Sequence, residues 1–331
     1  MERIAYISGE TVIYWNSIVL TLAAMVAICF FLAFYLGKTG NAAAGFAVVP
    51  VSLALSLVFA RFVHWYCRTD SYASFQAAMS DYTSGGYALL GVFAGCLLAA
   101  GIVRILFLNR NLPQMLDCMC LAGCAGISVG RLASFFNSSD RGQIVESIQS
   151  LPWVYPVTNA VSGATEYRLA TFVIQAMVAA VLFLCLTAFD LASHRRGRGK
   201  DGDTCLMFLL CYGASQVVLD STRYDSLFFR SNGFVSIVQV LGAVVMVFAV
   251  VMFSVRLVKY RGFRLWYVPI WLAIAAAIGG AGYMEYYVQR RGNEAVFAYS
   301  VMSGCLLGVI ALTLLIRGIG TAAWRRSRTL L

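Results

Sequence analysis

Arginine, serine and asparagine side chains recur where an apolar segment ends, in the sequence GRLASFFNSSDRGQ. Arg131, Ser134 and Ser138 fall at positions i, i+3 and i+7, which places them on one face of a helix, and Asn137 flanks them. The planar guanidinium group of arginine donates two parallel hydrogen bonds to a phosphate or a carboxylate. This segment therefore predicts a site that binds an anion.

A second polar stripe lies in the sequence CYGASQVVLDSTRYDS. Gln216, Asp220 and Arg223 fall at positions i, i+4 and i+7, so one helix face carries an amide, a carboxylate and a guanidinium group. An isolated Asp and Arg at this spacing could do no more than neutralise each other. A second arginine-containing segment of the same kind favours a shared binding site instead.

A third polar pair lies in ARFVHWYC, where Arg61 and His64 stand three residues apart and share a helix face. His64 is a candidate proton acceptor, because imidazole titrates near neutral pH. Asp220 could accept a proton only in surroundings that disfavour its ionised form. The alternative for His64 is an interfacial position in an aromatic belt with Trp65 and Tyr66.

The elements that must position these side chains are membrane-spanning helices. Mean hydropathy is +0.78 and only 12% of the 331 residues are charged, which excludes a soluble protein of this length. Nine apolar runs match the thickness of a bilayer, so the sequence predicts an all-α polytopic transmembrane helical bundle. The first run is too long for a signal peptide, and we expect it to stay in the mature protein. The runs cover residues 13–36, 43–65, 86–108, 115–136, 169–192, 204–221, 233–255, 265–288 and 296–316.

The basic residues predict the orientation of the nine spans. With the N-terminus outside and the C-terminus inside, the inner segments hold 15 of the 25 Lys and Arg residues and a net charge of +11, and the outer segments sum to −1. This is the distribution that the positive-inside rule requires. Topology thus explains the net charge of +10, and we predict no nucleic-acid partner. Arg104, Arg256 and Arg317, on the inner side, are interpreted as side chains that reach the headgroups from helix ends.

In this orientation three spans deliver their polar ends to the same outer face. The charged side chains expected there are four arginines and two aspartates, namely Arg61, Arg131, Arg141, Arg223, Asp140 and Asp220. Guanidinium groups then outnumber carboxylates at the depth of the lipid headgroups. The sequence therefore predicts a pocket for an anionic phospholipid.

The ten cysteines predict neither a disulfide framework nor a metal site, since nearly all of them fall within apolar spans. Cys118, Cys120 and Cys124 form the densest group, and apart from Asp117 no histidine or carboxylate stands beside them at ligand spacing. We interpret these cysteines as small residues that pack between helices.

These segments together resemble the bacterial prolipoprotein diacylglyceryl transferases. The run from Gly130 is similar to the family signature, Gly-Arg-hydrophobic-Gly-Asn-Phe-hydrophobic-Asn, and Arg131 and Asn137 match it. The segment around Asp220 and Arg223 looks like the family's Glu-x-x-Arg segment. The resemblance covers residues 1–264, whereas 265–331 adds two spans with a basic cytoplasmic tail.

Two shorter segments extend the resemblance. ARFVHWY is similar to the family's Gly-Arg-Ile-Gly-Tyr segment at Arg61, and SIVQVLG resembles the Ser-x-x-Gln that opens its last helix, at Gln239. Arg141 stands two residues before the place of the arginine that closes the family signature.

The resemblance implies a multi-pass protein of the bacterial inner membrane that needs no metal or cofactor. Its reaction moves the diacylglyceryl group of phosphatidylglycerol onto the cysteine thiol of a lipoprotein precursor. With the chemistry above, we assign catalysis to His64, Arg141 and Asp220, and binding of the phospholipid headgroup to Arg61, Arg131, Asn137, Arg223 and Gln239.

Several family positions carry other residues in this chain. Leu90 replaces an aromatic residue or histidine, Ser134 replaces asparagine, and Gln143 and Gln216 replace arginines. These replacements favour an alternative, in which a non-catalytic descendant binds anionic phospholipid or docks a membrane partner. The retained arginines and Asp220 favour the transferase.

Overall fold

The apolar runs of the sequence form long helices in the computed structural model of the chain. The structure describes residues 4–8, 11–80, 85–107, 111–137, 140–145, 154–158, 163–195, 199–229, 232–291 and 294–328. Within these ranges, nine helices are long and apolar enough to cross a membrane. The predicted all-α polytopic bundle is therefore confirmed.

The helices are numbered in chain order. They are α1 (Trp15–Thr39), α2 (Ala42–Cys67), α3 (Phe75–Ser80), α4 (Leu89–Leu106), α5 (Leu112–Arg131), α6 (Thr171–Arg195), α7 (Asp203–Ser221), α8 (Ile237–Arg261), α9 (Tyr267–Arg291) and α10 (Ala295–Arg328). All except α3 have the length of a span. Their bounds agree with the predicted runs to within six residues, except that α10 continues to Arg328, twelve residues past the end of the predicted run at 316. Two 3-10 helices, Thr69–Ser71 and Leu132–Phe135, follow α2 and α5.

Short strands, which were not predicted from the sequence, form three antiparallel hairpins in the described residues, one before α1, one between α5 and α6, and one between α7 and α8. They pair β1 (Ile4–Ser8) with β2 (Thr11–Tyr14), β3 (Val154–Thr158) with β4 (Thr165–Leu169), and β5 (Phe228–Phe229) with β6 (Asn232–Ser236). None of these strands is longer than five residues, so each offers too few alternating positions to be recognised beside a long apolar span.

The chain divides into two compact units. The first contains Met1–Phe189, Asp201–Cys205 and Thr222–Val238, and the second contains Asp190–Lys200, Leu206–Ser221 and Gln239–Leu331. In the first unit α2 packs against α4 and α1 against α5, and in the second α9 packs against α10. The boundary between residues 264 and 265 was drawn from the family resemblance, and it stays a prediction.

Two glycines one turn apart on α4 let α2 approach closely. A Cβ atom on Gly95 would lie 2.5 Å from the amide nitrogen of Ser56, and a Cβ atom on Gly91 would overlap the carbonyl oxygen of Phe59. Small residues four positions apart are a common device for close packing of transmembrane helices. This contact fixes the position of α2, which carries two of the predicted site residues.

One carboxylate of α5 caps the beginning of α7. The buried Asp117 accepts hydrogen bonds from the backbone N–H groups of Gly202 at 2.7 Å and Cys205 at 2.6 Å. The first N–H groups of a helix have no partner within it, and the helix dipole favours a negative charge at that end. Asp117 thereby joins α5 to the first turn of α7.

We expect Gly95→Ala to lower the free energy of unfolding by about 1–3 kcal/mol, because the added methyl group overpacks the contact between α2 and α4. Gly101→Ala on the same helix is the matched control, since no atom lies within 4 Å of a Cβ built there. Thermal unfolding of the purified variants in detergent measures the difference. Equal stability of the two variants would contradict the packing argument.

Candidate functional site

The end of α5 leads through the 3-10 helix Leu132–Phe135 into a loop that pairs with the segment after α7. The amide nitrogen of Gln143 donates to the carbonyl oxygen of Thr222 at 3.1 Å. The amide nitrogen of Tyr224 donates in turn to the carbonyl oxygen of Arg141 at 2.9 Å. The polar segments after α5 and α7, far apart in sequence, are thus held together by backbone hydrogen bonds.

Asp140, in this loop, has a left-handed backbone conformation with φ of 59°. Among residues other than glycine, aspartate and asparagine adopt this conformation most readily. The amide nitrogen of Asp140 donates to Oδ2 of Asp225 at 2.8 Å, which stabilises the turn.

The carboxylate of Asp140 bridges the two arginines that the sequence analysis assigned to headgroup binding. Its Oδ1 lies 2.9 Å from Nη1 of Arg131 and 2.6 Å from Nη2 of Arg223. Ser134 donates from Oγ to the other oxygen, Oδ2, at 2.9 Å. Asp225 accepts from Nε and Nη2 of Arg223 at 3.2 and 3.1 Å. We call these five residues the Asp140 network.

The Asp140 network is balanced in charge, with two guanidinium groups and two carboxylates. The predicted excess of guanidinium groups depended on Arg61 and Arg141, which lie outside these five residues. Both arginine side chains are largely buried, at 12% exposed for Arg131 and 11% for Arg223. Water can screen their interaction with Asp140 only weakly, so the contact is stronger than a surface ion pair.

Neighbouring charges control the ionisation of Asp140. Burial alone raises the pKa of this carboxyl, but the guanidinium groups of Arg131 and Arg223 and the hydrogen bond from Ser134 outweigh burial and lower the pKa to about 2. Asp140 is consequently ionised at every physiological pH.

Arg141, the next residue, is directed into a different environment. Its side chain is only 7% exposed, and its Nη2 donates to the carbonyl oxygen of Asn137 at 2.7 Å. Its guanidinium carbon lies 4.3 Å from the ring centre of Tyr155 and 5.6 Å from that of Phe172. Cation–π contacts of this kind hold the side chain between β3 and the first turn of α6.

Gly142 lets the loop pass close to the beginning of α6. A Cβ atom there would lie 2.7 Å from both Cβ of Leu169 and Oγ1 of Thr171. A larger residue would push the loop away from α6 and disturb both Asp140 and Arg141.

Arg61 on α2 is fully buried and donates to backbone carbonyl groups. Its Nε donates to Ala78 at 2.6 Å, and its Nη1 donates to Gly86 at 3.2 Å and also to Gly85. The ring of Tyr72 lies 4.9 Å from its guanidinium carbon. Arg61 thus fixes the segment that connects α2 to α4.

His64 lies one turn further along α2, where its Nδ1 is 2.8 Å from the hydroxyl group of Tyr72. This hydrogen bond fixes the orientation of the imidazole ring. Arg68, which follows α2, donates from Nη2 to the carbonyl oxygen of Asp225 at 3.1 Å. The end of α2 that carries His64 is therefore joined to the Asp140 network.

Asp220 and Gln239 belong to the second compact unit. Both are buried, at 1% and 4% exposed, and Nε2 of Gln239 donates to the carbonyl oxygen of Val217 at 3.1 Å. This bond joins α8 to α7 one turn before Asp220. Ser138, which we predicted on the arginine face of α5, lies outside the described residues.

No sequence pattern predicted the aromatic partners of the site residues, which are Tyr72, Tyr155 and Phe172. They lie in distant segments, and tyrosine and phenylalanine are so frequent in this chain that no local pattern marks these three. The sequence did place Asp140 among the charged residues of the outer face, but it did not predict that Asp140 bridges the two arginines.

No group of three or more His, Cys, Asp or Glu side chains is arranged to hold a metal ion in the part of the chain that the structure describes. The site offers guanidinium groups, carboxylates, hydroxyl groups and one imidazole. These groups are able to bind an anion and to transfer a proton.

The nine apolar helices of the described residues define a multi-pass membrane protein, in which two largely buried arginines lie at or just beyond the ends of α5 and α7. The chain belongs to the prolipoprotein diacylglyceryl transferase family, whose sequence model matches residues 3–255. The resemblance seen in the motifs is thereby confirmed. Helices α9 and α10 lie beyond the matched residues.

Several curated relatives carry the name phosphatidylglycerol–prolipoprotein diacylglyceryl transferase. The protein from Streptococcus sanguinis is 25% identical over 184 residues, which cover 55% of this chain and 68% of the relative. That from Lactococcus lactis subsp. cremoris is 24% identical over 266 residues, covering 78% and 96%. That from Streptococcus agalactiae is 23% identical over 205 residues, covering 60% and 76%.

We expect the stability difference between the unaltered protein and Asp140→Asn to depend on pH. The pKa of Asp140 is lower in the folded state than its ordinary value of 3.8, so the carboxylate stabilises the fold above about pH 4 and loses that effect as the pH falls towards 2. The difference in the free energy of unfolding should shrink by roughly 2 kcal/mol between pH 7 and pH 2.

Denaturant unfolding at a series of pH values measures this difference. Asp70→Asn is the control, because Asp70 is exposed in the 3-10 helix that follows α2. A difference for Asp140→Asn that stays constant with pH would contradict the proposed coupling to the two arginines.

Proposed function

We propose that this protein transfers the diacylglyceryl group of phosphatidylglycerol, or of another anionic phospholipid, to the cysteine thiol of a lipoprotein precursor. The observation that carries the proposal is the meeting of Arg131 and Arg223 at a single carboxylate oxygen. The names of the relatives support the same reaction. Family membership alone would not indicate which side chains receive the lipid.

The headgroup phosphate is proposed to replace the carboxylate of Asp140. Arg131 and Arg223 both direct a nitrogen to Oδ1 of Asp140, and a phosphate oxygen at that point would accept the same two hydrogen bonds. A phosphodiester carries one negative charge, as the carboxylate does, so each arginine keeps an anionic partner when the carboxylate of Asp140 turns away from the pair. The hydroxyl group of Ser134 could then donate its hydrogen bond either to Asp140 or to the phosphate.

The proposed reaction forms one bond and breaks one bond. The thiol gives its proton to a protein base, and the thiolate attacks the glyceryl carbon that bears the phosphate ester. A carbon–sulfur bond forms, the carbon–oxygen bond to the phosphate breaks, and glycerol phosphate leaves with the electron pair. The two arginines stabilise the charge of the leaving group.

His64 and Asp220 are the proposed proton acceptors. The hydrogen bond to Tyr72 orients the imidazole ring of His64 and supports its role. For Asp220, support comes from its burial in α7, a helix of the membrane region, one turn after the carbonyl group of Val217 that Gln239 binds. Arg141 is proposed to hold the loop of Asp140 through its contacts with Tyr155.

We place the protein in the inner membrane of a bacterium, with the N-terminus outside and the C-terminus inside, as the distribution of basic residues indicates. In that orientation the three β-hairpins and the Asp140 network lie on the outer side, because consecutive spans alternate in direction. A lipoprotein precursor would then bring its cysteine to the site from outside.

The second candidate is a non-catalytic relative that binds anionic phospholipid or docks a membrane partner. It is favoured by Gln143 and Gln216, which stand where the family has arginines, and by Asp140, which already occupies the arginine pair. This candidate needs the arginines but no proton acceptor.

We expect Arg131→Ala and Arg223→Ala each to lower the amount of anionic phospholipid that co-purifies with the protein. Each substitution removes a charge-assisted contact worth roughly 1.5–3 kcal/mol, which corresponds to about a tenfold to hundredfold loss of affinity. Arg104→Ala is the matched control, because Arg104 is exposed in the last turn of α4. Mass spectrometry of lipids extracted from equal amounts of protein measures retention.

Asp140→Asn extends this experiment. Since it removes the competing carboxylate, the variant should retain at least as much lipid as the unaltered protein. Equal retention in all the arginine variants would mean that the headgroup does not bind at this pair.

The transferase and the binding protein differ in their need for a base. We expect Asp220→Asn or His64→Ala to slow lipid transfer to a precursor cysteine by about a hundredfold or more, the typical contribution of a positioned acid or base. Mass analysis of a lipoprotein precursor, incubated with the protein and phosphatidylglycerol, measures transfer. If the unaltered protein gives no transfer and still retains lipid through Arg223, the binding protein is the better description.

A further inference from the structure

Helix α9, which lies beyond the residues matched by the family, carries a buried acidic residue within its span. Glu285 is 7% exposed in the membrane-spanning part of α9, Tyr267–Arg290. A carboxylate in such a position is costly unless it is hydrogen-bonded, and it usually serves a function. Neither the family signature nor the proposed reaction accounts for this residue.

Both oxygens of the Glu285 carboxylate accept a hydrogen bond. Ser221, the last residue of α7, donates from Oγ to Oε2 at 2.7 Å. Gln289, one turn further along α9, donates from Nε2 to Oε1 at 2.9 Å. The carboxylate is thus fixed between its own helix and the end of α7.

Helix α10 contributes a second contact to the same residue of α7. The hydroxyl group of Tyr299 donates to the carbonyl oxygen of Ser221 at 3.2 Å. The last carbonyl groups of a helix have no partner within it, so this hydroxyl group acts as a cap supplied by another helix. All four residues belong to the second compact unit.

Ser221 directly follows Asp220, one of the two proposed proton acceptors. We propose that Glu285 and Tyr299 are positioning residues, which fix the last turn of α7 through Ser221 and so hold Asp220 in its reactive orientation. This role rests on the proposed transferase function. It gives α9 and α10 a part in the reaction, although neither supplies a reacting group.

The expected effect of losing these contacts falls on the rate of the chemical step. Without the two hydrogen bonds the last turn of α7 can fray, and displacement of a catalytic group by about 1 Å can cost a hundredfold in rate. Lipid binding rests on Arg131 and Arg223, and Arg223 is held separately by its contacts with Asp140 and Asp225, so binding should change little. A split between kcat and KM therefore distinguishes positioning of Asp220 from general destabilisation or loss of lipid affinity.

The experiment compares Glu285→Gln, Tyr299→Phe and Ser221→Ala in the full-length protein with phosphatidylglycerol and a precursor peptide. We expect kcat to fall by about tenfold to a hundredfold, and KM for the lipid to stay within about threefold. The double variant Ser221→Ala/Glu285→Gln should be no slower than Ser221→Ala alone, since Ser221→Ala already removes the hydrogen bond that Glu285 accepts.

Glu294→Gln is the matched control, because Glu294 is exposed just before α10 and accepts a hydrogen bond from Tyr287. Its kcat should equal that of the unaltered protein. Thermal unfolding of every variant tests its fold. If Glu285→Gln does not fold, the kcat of Tyr299→Phe tests the proposal. This variant loses only one hydroxyl group and is therefore expected to fold.

An unchanged kcat in the folded variants, or a raised KM with unchanged kcat, would overturn the positioning role and leave the proposed transferase intact. Additive losses in the double variant would also count against it, as they would show two separate effects. If the unaltered protein has no transfer activity, both the proposed transferase function and the proposed positioning role of Glu285 and Tyr299 are wrong.

Discussion

Two buried arginines from different parts of the chain can be stable side by side only because a carboxylate lies between them. Arg131 ends α5 and Arg223 follows α7, and both contact Oδ1 of Asp140. Removal of one partner from a buried ion pair is strongly destabilising, because it leaves an uncompensated charge. The left-handed turn at Asp140, the backbone pairing beside it and the contact of Arg68 with Asp225 all serve to keep this carboxylate in place.

The four arginines of the predicted site illustrate how one residue type can do different work. Arg131 and Arg223 bind carboxylates and belong to a balanced network. Arg61 donates to backbone carbonyl groups, and Arg141 lies against aromatic rings. A guanidinium group has several donors and a flat face, so its partners decide whether it binds a ligand or holds the fold.

Hydropathy and helical spacing were sufficient to predict the spans. They also predicted that Arg131 and Arg223 lie in the same region of the protein. These features depend on composition and on distances of a few residues along the chain. The bridge between the two arginines depends instead on the backbone angle of a single residue, Asp140, and on pairing with a segment about eighty residues away. The partners of Arg61 and Arg141 could not be predicted from the sequence for the same reason. Each of these contacts joins segments that no local sequence pattern relates.

The cap that Asp117 places on α7 also has a consequence for how the protein is made. Among the nine described helices of span length, α7 is the least apolar, with a hydropathy of 1.3, and 56% of that stretch is buried inside the protein. A helix of this kind partitions weakly into lipid by itself. Because α5 is synthesised first, the Asp117 carboxylate is already present when the first turn of α7 leaves the ribosome. The order of translation therefore provides the first turn of α7 with a partner on α5 as α7 enters the membrane.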